Sequence, residues 1–429
     1  MTSRTIAPAG RGLRGRLVVP SDKSIAHRAL LVGAVAEGTT VVRGFQGGRD
    51  NRATMAACRA LGVAIDERGE TLTIAGAGFD GLRAPAGDID CENSGTTMRL
   101  LAGLLAGRPF TSRLVGDASL LRRPMRRVIE PLGRMGAAIT SEPGDGRAPL
   151  RIEGRALVGV QHTLAVASAQ VKSAILLAGL QASGSTRVDE PARSRDHTER
   201  MLRDFGARLC GGELWVALDG PQRLRGTTID LPGDFSSAAF LVVAAAVIPG
   251  SEIRLTGVGL NPTRTGLLDA LAAMGAAIEV VPEAGASEPV GTLVVRHGPL
   301  HATHIAGELL VRCIDEFPIL CIAAARAEGT TEIRDAAELR VKESDRVAVM
   351  AELLRALGVA VAELPDGLVI HGASRLGGAR VDPRGDHRIA MAAAVAGLAG
   401  AAPVVIDDPD CAEVSFPGFY AILARAAGA

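Results

Sequence analysis

The sequence predicts a two-domain α/β protein built from six βαβαββ repeats, three in each domain. Three observations carry that prediction. A glycine that joins an apolar helix to a strand recurs along the chain, and a polar helix start recurs at similar intervals. The 429 residues also exceed what one ordinary core accommodates. Similar elements at a near-constant spacing indicate copies of one supersecondary unit.

The helix-to-strand joint occurs five times, at steps of 69 to 83 residues. It contains Gly62, Gly136, Gly206, Gly275 and Gly358. A glycine just past the last helical turn adopts the left-handed conformation at little cost, so each is predicted to end a helix.

The second series marks helix starts at steps of 66 to 81 residues. Its anchors are Ser21, Asn93, Ser168, Asp234, Asp315 and Asp386. We interpret the first repeat as strand LRGRLVVP, helix, strand TTVVRG, helix NRATMAACRALG, and strands VAID and TLTIAG. The sixth repeat lacks its last strand, and RTIAPAG at the N-terminus resembles the missing piece. The expected domains are therefore residues 21–233, and residues 1–20 with 234–429.

The helix starts carry many anion donors and a few carboxylates. Free backbone N–H groups and the positive end of the helix dipole attract anions there. If the repeats align, one cleft between the domains is lined by Lys23, Ser24, Arg28, Asn93, Gly95, Thr96, Arg99, Ser168, Gln170, Lys172, Asp234, Asp315, Glu316, Asp386, His387 and Arg388. Such a set suits a substrate with several anionic groups and a reaction that needs acid and base.

Composition excludes several classes of function. Lys+Arg and Asp+Glu both number 47 and aromatic residues make up 3%, which argues against a nucleic-acid partner. No signal peptide is expected, because the N-terminal residues contain no apolar run of the required kind. The apolar run 389–406 is interpreted as a buried helix followed by a strand, so no membrane partner is expected. The six cysteines lie far apart without CxxC spacing, which favours free thiols in a cytoplasmic protein over disulfides or a metal site.

Lysine is used only at Lys23, Lys172 and Lys342, against 44 arginines. A compact ammonium retained at three predicted helix starts favours a functional need for lysine. A GC-rich gene, whose codons favour arginine, would give the same pattern if these three lysines were retained by chance.

Two further patterns are interpreted as structural. GAGFDG (76–81) matches GxGxxG but no helix follows it, so a dinucleotide site is not expected. His297, His301 and His304 surround a Gly-Pro pair, where a surface loop is favoured over a metal site.

Nine blocks of sequence resemble those of a known family. PSDKSIAHRALL, NSGTTMR, GDASLLRRPMRRV, SAQVKSAILLAG, SRDHTERM, IDEFPIL, LRVKESDR, GDHRIAM and SFPGF are similar, in order, to the EPSP synthase (3-phosphoshikimate 1-carboxyvinyltransferase) family, with SAQVKSA and SRDHTE typical of its class II branch. The resemblance implies a two-domain inside-out α/β barrel of the enolpyruvyl transferase type. It also implies transfer of the carboxyvinyl group of phosphoenolpyruvate to the 5-hydroxyl of shikimate 3-phosphate, by addition and then elimination. No cofactor or metal is implied; activation by a monovalent cation stays open, and a monomer is expected.

The resemblance also implies the site residues. The catalytic ones are Lys23, Asp315, Glu343 and His387, with Asp315 as the general base for the hydroxyl. Those that bind phosphoenolpyruvate are Lys23, Asn93, Gly95, Thr96, Arg123, Gln170, Arg346 and Arg388. Those that bind shikimate 3-phosphate are Lys23, Ser24, Arg28, Ser168, Ala169, Gln170, Arg195, Asp315 and Lys342. Which of Lys23, Glu343 and Asp315 moves which proton stays open.

Several interpretations compete with this one. Asp315 alone could cap a helix, and Glu343 with Arg346 could form a surface pair of small energetic weight.

Two positions bear on details of the family pattern. Val414 stands where one branch of the family has a lysine that binds phosphoenolpyruvate, and Gly95 suggests sensitivity to glyphosate. The rival enolpyruvyl transferase that acts on UDP-N-acetylglucosamine has a reactive Cys or Asp before the Arg-Pro pair. Between 113 and 124 this chain has no cysteine but does have Asp117. An RNA 3′-phosphate cyclase and a non-catalytic anion-binding scaffold are two further hypotheses.

Overall fold

The computed structural model describes residues 2–284 and 287–428. The chain forms two compact units. The middle unit is Ser21–Leu231, and the terminal unit contains the residues up to Pro20 and those from Pro232 onward.

Helices account for much of both units. The α-helices are α1 (Lys23–Val35), α2 (Arg49–Ala60), α3 (Gly95–Leu105), α4 (Ala118–Leu121), α5 (Arg126–Arg134), α6 (Ala169–Gly179), α7 (His197–Asp204), α8 (Phe235–Val247), α9 (Gly266–Ala273), α10 (Gly307–Arg312), α11 (Phe317–Arg326), α12 (Arg346–Ala356), α13 (His387–Ala399) and α14 (Phe419–Ala427). Short 3₁₀ helices span Ile314–Glu316, Ala337–Val341 and Pro409–Val414.

Between the helices run short strands. They are β1 (Ser3–Ile6), β2 (Arg14–Leu17), β3 (Ala36–Arg43), β4 (Ala64–Arg68), β5 (Thr71–Ala77), β6 (Ile89–Asp90), β7 (Thr111–Val115), β8 (Ala138–Ser141), β9 (Leu150–Glu153), β10 (Gln161–Thr163), β11 (Gly184–Asp189), β12 (Cys210–Gly211), β13 (Trp215–Gly220), β14 (Leu224–Arg225), β15 (Thr228–Asp230), β16 (Glu252–Gly259), β17 (Ala277–Glu283), β18 (Val290–Arg296), β19 (His304–Ile305), β20 (Thr330–Ile333), β21 (Val361–Leu364), β22 (Gly367–His371), β23 (Ala379–Val381) and β24 (Val404–Asp407).

In the described part of the chain the strands form six small sheets that repeat one design. In β6-β7-β9-β8 the first pair is parallel and the other two pairs are antiparallel. The sheets β10-β11-β13-β12 and β19-β20-β22-β21 follow the same order. The sixth sheet is β1-β24-β23, in which β1 from the N-terminus pairs antiparallel with β24.

One strand assignment made from the sequence is wrong. The segment LRGRLVVP contains β2, which pairs in parallel with β16 of the terminal unit. The parallel partners of β3 in the first repeat are instead β14 and β15. The strand just before α1 therefore completes another repeat, and the first repeat takes its outer strand from the end of the middle unit.

The helix starts in the second series are confirmed, because α1, α3, α6, α8, α11 and α13 each begin within two residues of their anchor. These six helices are buried on almost every side; every residue of α8, for example, is buried. Helices that are apolar all round belong in the centre of a fold. The core of the middle unit contains α1, α3 and α6, and that of the terminal unit contains α8, α11 and α13.

Close packing of the central helices aligns their starts. At Gly103 a Cβ atom would lie 2.1 Å from the carbonyl oxygen of Ala174, so only glycine allows α3 and α6 to approach this closely. The two helices consequently begin side by side in the middle unit, which brings their first residues together.

Candidate active site

The polar residues at the starts of α1 and α3 fix these helices locally. The Asp22 carboxylate accepts the Ile25 amide at 2.9 Å, and the Ser94 hydroxyl accepts the Thr97 amide at 3.1 Å. Ser168 precedes α6, but its side chain makes no capping hydrogen bond. The Ser168 hydroxyl is therefore not used to hold its own helix.

Lys23 opens α1 and pairs with a carboxylate that the sequence patterns did not single out. Its ammonium lies 2.9 Å from Asp50 at the start of α2, and both side chains are mostly buried. The side-chain NH2 of the neighbouring Asn51 donates to the Lys23 backbone carbonyl at 3.0 Å. Asp50 could have been found only from the contact between α1 and α2, since nothing in its local sequence marks it.

Arg28 lies in the second turn of α1 and is buried. Its guanidinium donates to Thr198 Oγ1 at 2.6 Å, to Ser173 Oγ at 2.9 Å and to the Ser24 carbonyl at 2.9 Å. These bonds connect α1 with α6 and α7. Directional bonds of this kind hold the planar guanidinium in one orientation.

Gln170 connects α6 with α3. Its side-chain oxygen accepts from Arg99 at 2.7 Å, and its side-chain nitrogen donates to Thr96 at 2.9 Å. Arg123, which is buried, donates to the Asn93 side-chain oxygen at 2.5 Å. The structure thus brings the predicted residues of the α3 and α6 starts into one polar cluster.

Gly95 is the first residue of α3 and lies against two guanidinium groups. A Cβ at this position would lie 2.6 Å from Arg99 Nη1 and 3.4 Å from Arg123 Nη1. A larger residue would therefore displace the arginines rather than the backbone.

The structure also places three other predicted residues of the middle unit, one of them not as predicted. Ala169 is the first residue of α6, and Arg195 is half-buried in the segment before α7. Lys172 was expected to line an anion-binding cleft, but it is buried and ion-paired with Glu190 and Glu199. One helical turn separates it from Ser168, and that turn directs it toward α7.

In the terminal unit, Arg346 lies among three carboxylates, all of them singled out from the sequence as site residues or as helix starts. Its side chain is 1% exposed and lies 2.8 Å from Asp386, 2.8 Å from Glu343 and 3.6 Å from Asp315. Burial opposes the charge, but the three carboxylates outweigh it and raise the pKa of Arg346. Glu343 and Arg346 are therefore part of a buried cluster and not an exposed helical pair.

Asp386 is the buried centre of that cluster. It caps α13 by accepting the Arg388 amide at 3.0 Å, and it also accepts the Ser344 hydroxyl at 3.0 Å. Burial works to raise the pKa of Asp386, but Arg346 outweighs it and the pKa is lowered. The sequence marked Asp386 only as a helix start; its place in the buried ion cluster follows from the fold.

Arg388 and Asp315 meet at the same place. Arg388 Nη1 donates to the Asp315 backbone carbonyl at 2.9 Å, and Nη2 lies 3.8 Å from the Asp315 carboxylate. His387 is buried at the start of α13. The structure therefore gathers Asp315, Glu343 and two guanidiniums in the terminal unit.

Three other predicted residues of the terminal unit have different partners. Lys342 follows a 3₁₀ helix and pairs with Glu338 at 3.0 Å. Asp234 caps α8 and pairs with Arg264 at 2.9 Å, and Glu316 accepts the Ser236 hydroxyl. Asp234 and Glu316 are both buried, so they support the fold around α8 rather than line a cleft.

The GAGFDG motif ends in a turn, and the three histidines contact a backbone carbonyl and two glutamates. β5 runs into a turn at GAGFDG, and no helix follows, as predicted. His297 contacts the Ala246 carbonyl, whereas His301 and His304 lie beside Glu328 and Glu332. Among residues 2–284 and 287–428, no group of three or more His, Cys, Asp or Glu side chains could hold a metal ion.

The same described residues contain no helix that is long and apolar enough to cross a membrane. The run 389–406 forms α13 and β24, as predicted. All six cysteines are free and five of them are buried.

Comparison with known proteins decides the family. The model of the family described as "EPSP synthase (3-phosphoshikimate 1-carboxyvinyltransferase)" matches residues 8–423. The chain belongs to the EPSP synthase family. Proteins named 3-phosphoshikimate 1-carboxyvinyltransferase are 53% identical in Geobacter metallireducens, covering 100% of both chains, and 56% identical in Halorhodospira halophila, covering 98% of this chain and 95% of the relative.

Solved structures support the family assignment. EPSP synthase from Acinetobacter baumannii is 44% identical with a TM-score of 0.87, covering 99% of this chain and 98% of that one. The enolpyruvyl transferase NikO from Streptomyces tendae is 20% identical with a TM-score of 0.78, covering 98% of this chain and 96% of that one, and shows the shared fold. The predicted two-domain α/β fold of the enolpyruvyl transferase type is confirmed.

Proposed function

We propose that this chain transfers the carboxyvinyl group of phosphoenolpyruvate to the 5-hydroxyl of shikimate 3-phosphate. The products are 5-enolpyruvylshikimate 3-phosphate and inorganic phosphate, on the route to chorismate and the aromatic amino acids. The observation that carries the assignment of residues is the Arg346 cluster, in which a buried guanidinium lies among Asp315, Glu343 and Asp386 and beside Arg388.

The middle unit supplies groups for the phosphate and ring of shikimate 3-phosphate. Arg28 is held by hydroxyls and a carbonyl, and the Ser168 hydroxyl is not used for capping. Ser24, Ala169, Gln170 and Arg195 complete this half. A guanidinium fork and hydroxyl donors suit a phosphate dianion.

Phosphoenolpyruvate needs two anion sites, one for its carboxylate and one for its phosphate. Arg346 and Arg388 of the terminal unit bind one of these two anionic groups. The other group is bound by Lys23, Arg123, Gln170 and the backbone amides at the start of α3, from Asn93 to Thr96. Lys342 binds shikimate 3-phosphate. Backbone amides at a helix start are suited to such an anion.

The chemistry has two steps, and protons balance across them. In the first, the 5-hydroxyl oxygen bonds to carbon 2 of phosphoenolpyruvate, Asp315 removes the hydroxyl proton, and carbon 3 gains a proton. In the second, carbon 3 loses a proton and the bond from carbon 2 to the phosphate oxygen breaks. Glu343 and Lys23 exchange the proton at carbon 3 and stabilise the charge of the tetrahedral intermediate. His387 contacts that intermediate.

The acceptor is assigned to shikimate 3-phosphate rather than to a UDP-sugar. The segment 113–124 contains no cysteine, and Asp117 has both carboxylate oxygens engaged. One accepts the Leu120 backbone N–H at 2.7 Å and caps α4, and the other accepts the side-chain NH2 of Asn93 at 2.6 Å. A carboxylate used in this way is poorly suited to act as a reactive acid.

Phosphate release from phosphoenolpyruvate tests the function. We expect turnover with shikimate 3-phosphate and none with UDP-N-acetylglucosamine; activity only with the sugar nucleotide, or with neither, contradicts the proposal. Lys23→Met should lower kcat by about 100-fold or more, because one charge stabiliser is lost. Arg68→Met, at a cation that is 87% exposed, is the control and should keep wild-type turnover.

We further propose that the chain acts in the cytoplasm as a monomer, without a metal ion or organic cofactor. Light scattering after size-exclusion chromatography checks the oligomeric state. Assays in potassium chloride and in tetramethylammonium chloride at one ionic strength check activation by a monovalent cation.

A further inference from the structure

Two consecutive residues of α6, Lys172 and Ser173, join this helix to α7. The Ser173 hydroxyl lies 2.5 Å from Thr198 Oγ1 and also accepts Arg28 Nη2 at 2.9 Å. The Lys172 ammonium lies 2.8 Å from Glu199, the next residue of α7. Both contacts are buried, so the α6–α7 interface is held by a polar clamp.

Lys172 also holds the segment that precedes α7. Its ammonium donates to Glu190 at 2.7 Å and to the Ser194 carbonyl at 3.4 Å. The Ser194 hydroxyl in turn donates to the other oxygen of Glu190. The chain from Glu190 to Ser194 is therefore closed into a small ring of polar contacts, and Arg195 follows it directly.

The chemistry of the cluster requires an ammonium. A lysine presents three donors from a compact head, which matches the three acceptors from Glu190, Glu199 and Ser194. Burial opposes its charge, but the two carboxylates outweigh burial and raise the pKa of Lys172. It is one of three lysines in a chain that writes 44 of its 47 basic residues as arginine.

We propose that Lys172 is a positioning residue for the shikimate 3-phosphate half of the site. It fixes the 190–195 segment, and with it Arg195, relative to Ser168–Gln170 at the start of its own helix. This inference rests on the proposed function, because it takes those residues to bind that substrate. Lys172 does not touch the substrate itself.

A cavity of about 150 Å³ lies beside the cluster, and Lys172, Glu190 and Glu199 are part of its lining. Exposed residues such as Arg193 and Glu213 also line it, so the cavity opens toward solvent. Truncation of Lys172 therefore leaves room for an added amine between the two carboxylates.

The first test separates positioning from general stability. Lys172→Met should raise KM for shikimate 3-phosphate by about 10- to 100-fold, while kcat and KM for phosphoenolpyruvate change less than about threefold. Leu176→Ala, at a fully buried residue of the same helix, is the matched control. It should lower stability but leave both KM values near those of the wild type.

The second test uses the cavity. Lys172→Ala assayed with methylammonium should recover a low KM for shikimate 3-phosphate, whereas tetramethylammonium, which is too large and donates no hydrogen bond, should not. If Lys172→Met does not fold, Glu190→Gln decides. Its single side-chain oxygen cannot accept from both Lys172 and Ser194, while the contact of Lys172 with Glu199 is kept; KM for shikimate 3-phosphate should rise by several-fold.

The outcomes distinguish this inference from the proposed function. A wild-type protein that does not use shikimate 3-phosphate contradicts the function. A wild-type protein that does use it, together with unchanged KM values in the Lys172 and Glu190 variants, overturns the inference alone. An equal rise in KM for Leu176→Ala, or no effect of methylammonium, overturns it as well.

Discussion

Lys172 in the middle unit and Arg346 in the terminal unit are both buried cations held by carboxylates, but their carboxylates differ in role. The partners of Lys172, Glu190 and Glu199, are placed in no step of the reaction. Two partners of Arg346, Asp315 and Glu343, are the groups proposed to move protons. The same buried ion pairing can therefore serve position in one unit and reactivity in the other.

His27 is a third buried base, and it shows what the carboxylates do. It lies in α1 without exposure, and burial together with Lys23 and Arg28 holds its pKa well below the usual value. Burial disfavours the charged form of a basic group; neighbouring carboxylates outweigh this for Lys172 and Arg346, whereas neighbouring cations add to it for His27. The predictions below test this contrast, from the largest effect to the smallest.

The largest expected effect is on turnover by Asp315→Asn. Loss of the proposed general base should lower kcat by about 10²- to 10⁴-fold. KM for shikimate 3-phosphate should change much less, because asparagine keeps the size and one oxygen of the carboxylate that it replaces. Glu190→Gln from the Lys172 cluster is the comparison and should change KM for shikimate 3-phosphate but not kcat. Steady-state kinetics of both variants decide; similar losses of kcat in the two would erase the distinction.

Arg346→Met should lower stability by about 3–5 kcal/mol, because Asp386 is left as a fully buried carboxylate, and Glu343 as a half-buried one, without their cation. Hydrogen exchange followed by mass spectrometry should show lost protection in α12 and α13 and little change in α6. Arg380→Met is the control, since Arg380 pairs with Asp407 at the surface and is 70% exposed. Unchanged protection in α13 would mean that Arg346 does not organise this cluster.

Gly95→Ala should raise KM for phosphoenolpyruvate roughly tenfold, with a smaller change in kcat. The added methyl meets Arg99 and Arg123, so the effect is to move guanidinium groups and not the backbone. Gly133→Ala is the matched control, because this helical glycine has no atom within 4 Å of the new methyl. Equal KM values for Gly95→Ala and the wild type would contradict the placement of these arginines at the phosphoenolpyruvate site.

The smallest effect concerns pH. Because the folded pKa of His27 lies below 6.5, the unfolded chain binds a proton there that the folded chain does not. The stabilisation is full above pH 6.5 and is lost as the pH falls toward the folded pKa, at up to ~1.4 kcal/mol per pH unit. His162, whose pKa burial and Arg134 also lower, acts in the same direction.

His27→Asn should therefore flatten, but not abolish, the loss of stability below pH 6.5. Trp215, the only tryptophan, lies in the same unit and reports its unfolding by fluorescence. The exposed His301→Asn is the control and should keep the wild-type slope. An identical slope in His27→Asn and the wild type would show that His27 is not held neutral.

Much of the fold could be predicted from the sequence because its signals are local. A polar residue that opens a helix and a glycine that follows its last turn both act within a single turn. The recurrence of the polar starts located all six central helices, and the recurrence of the glycines located the ends of α2, α5, α7, α9 and α12. The motif blocks identified the family for the same reason, since each is a contiguous stretch such as Lys23–Arg28 or Lys342–Arg346.

Only the tertiary structure decided which distant segments pair. β2 joins β16 and β15 joins β3 across more than 180 residues, and neither local pattern names its partner. Lys172 shows the same limit at the level of one side chain. A lysine near a helix start has the same sequence pattern whether it faces an anion or two buried carboxylates, because burial and charge environment depend on residues that meet only when the chain has folded.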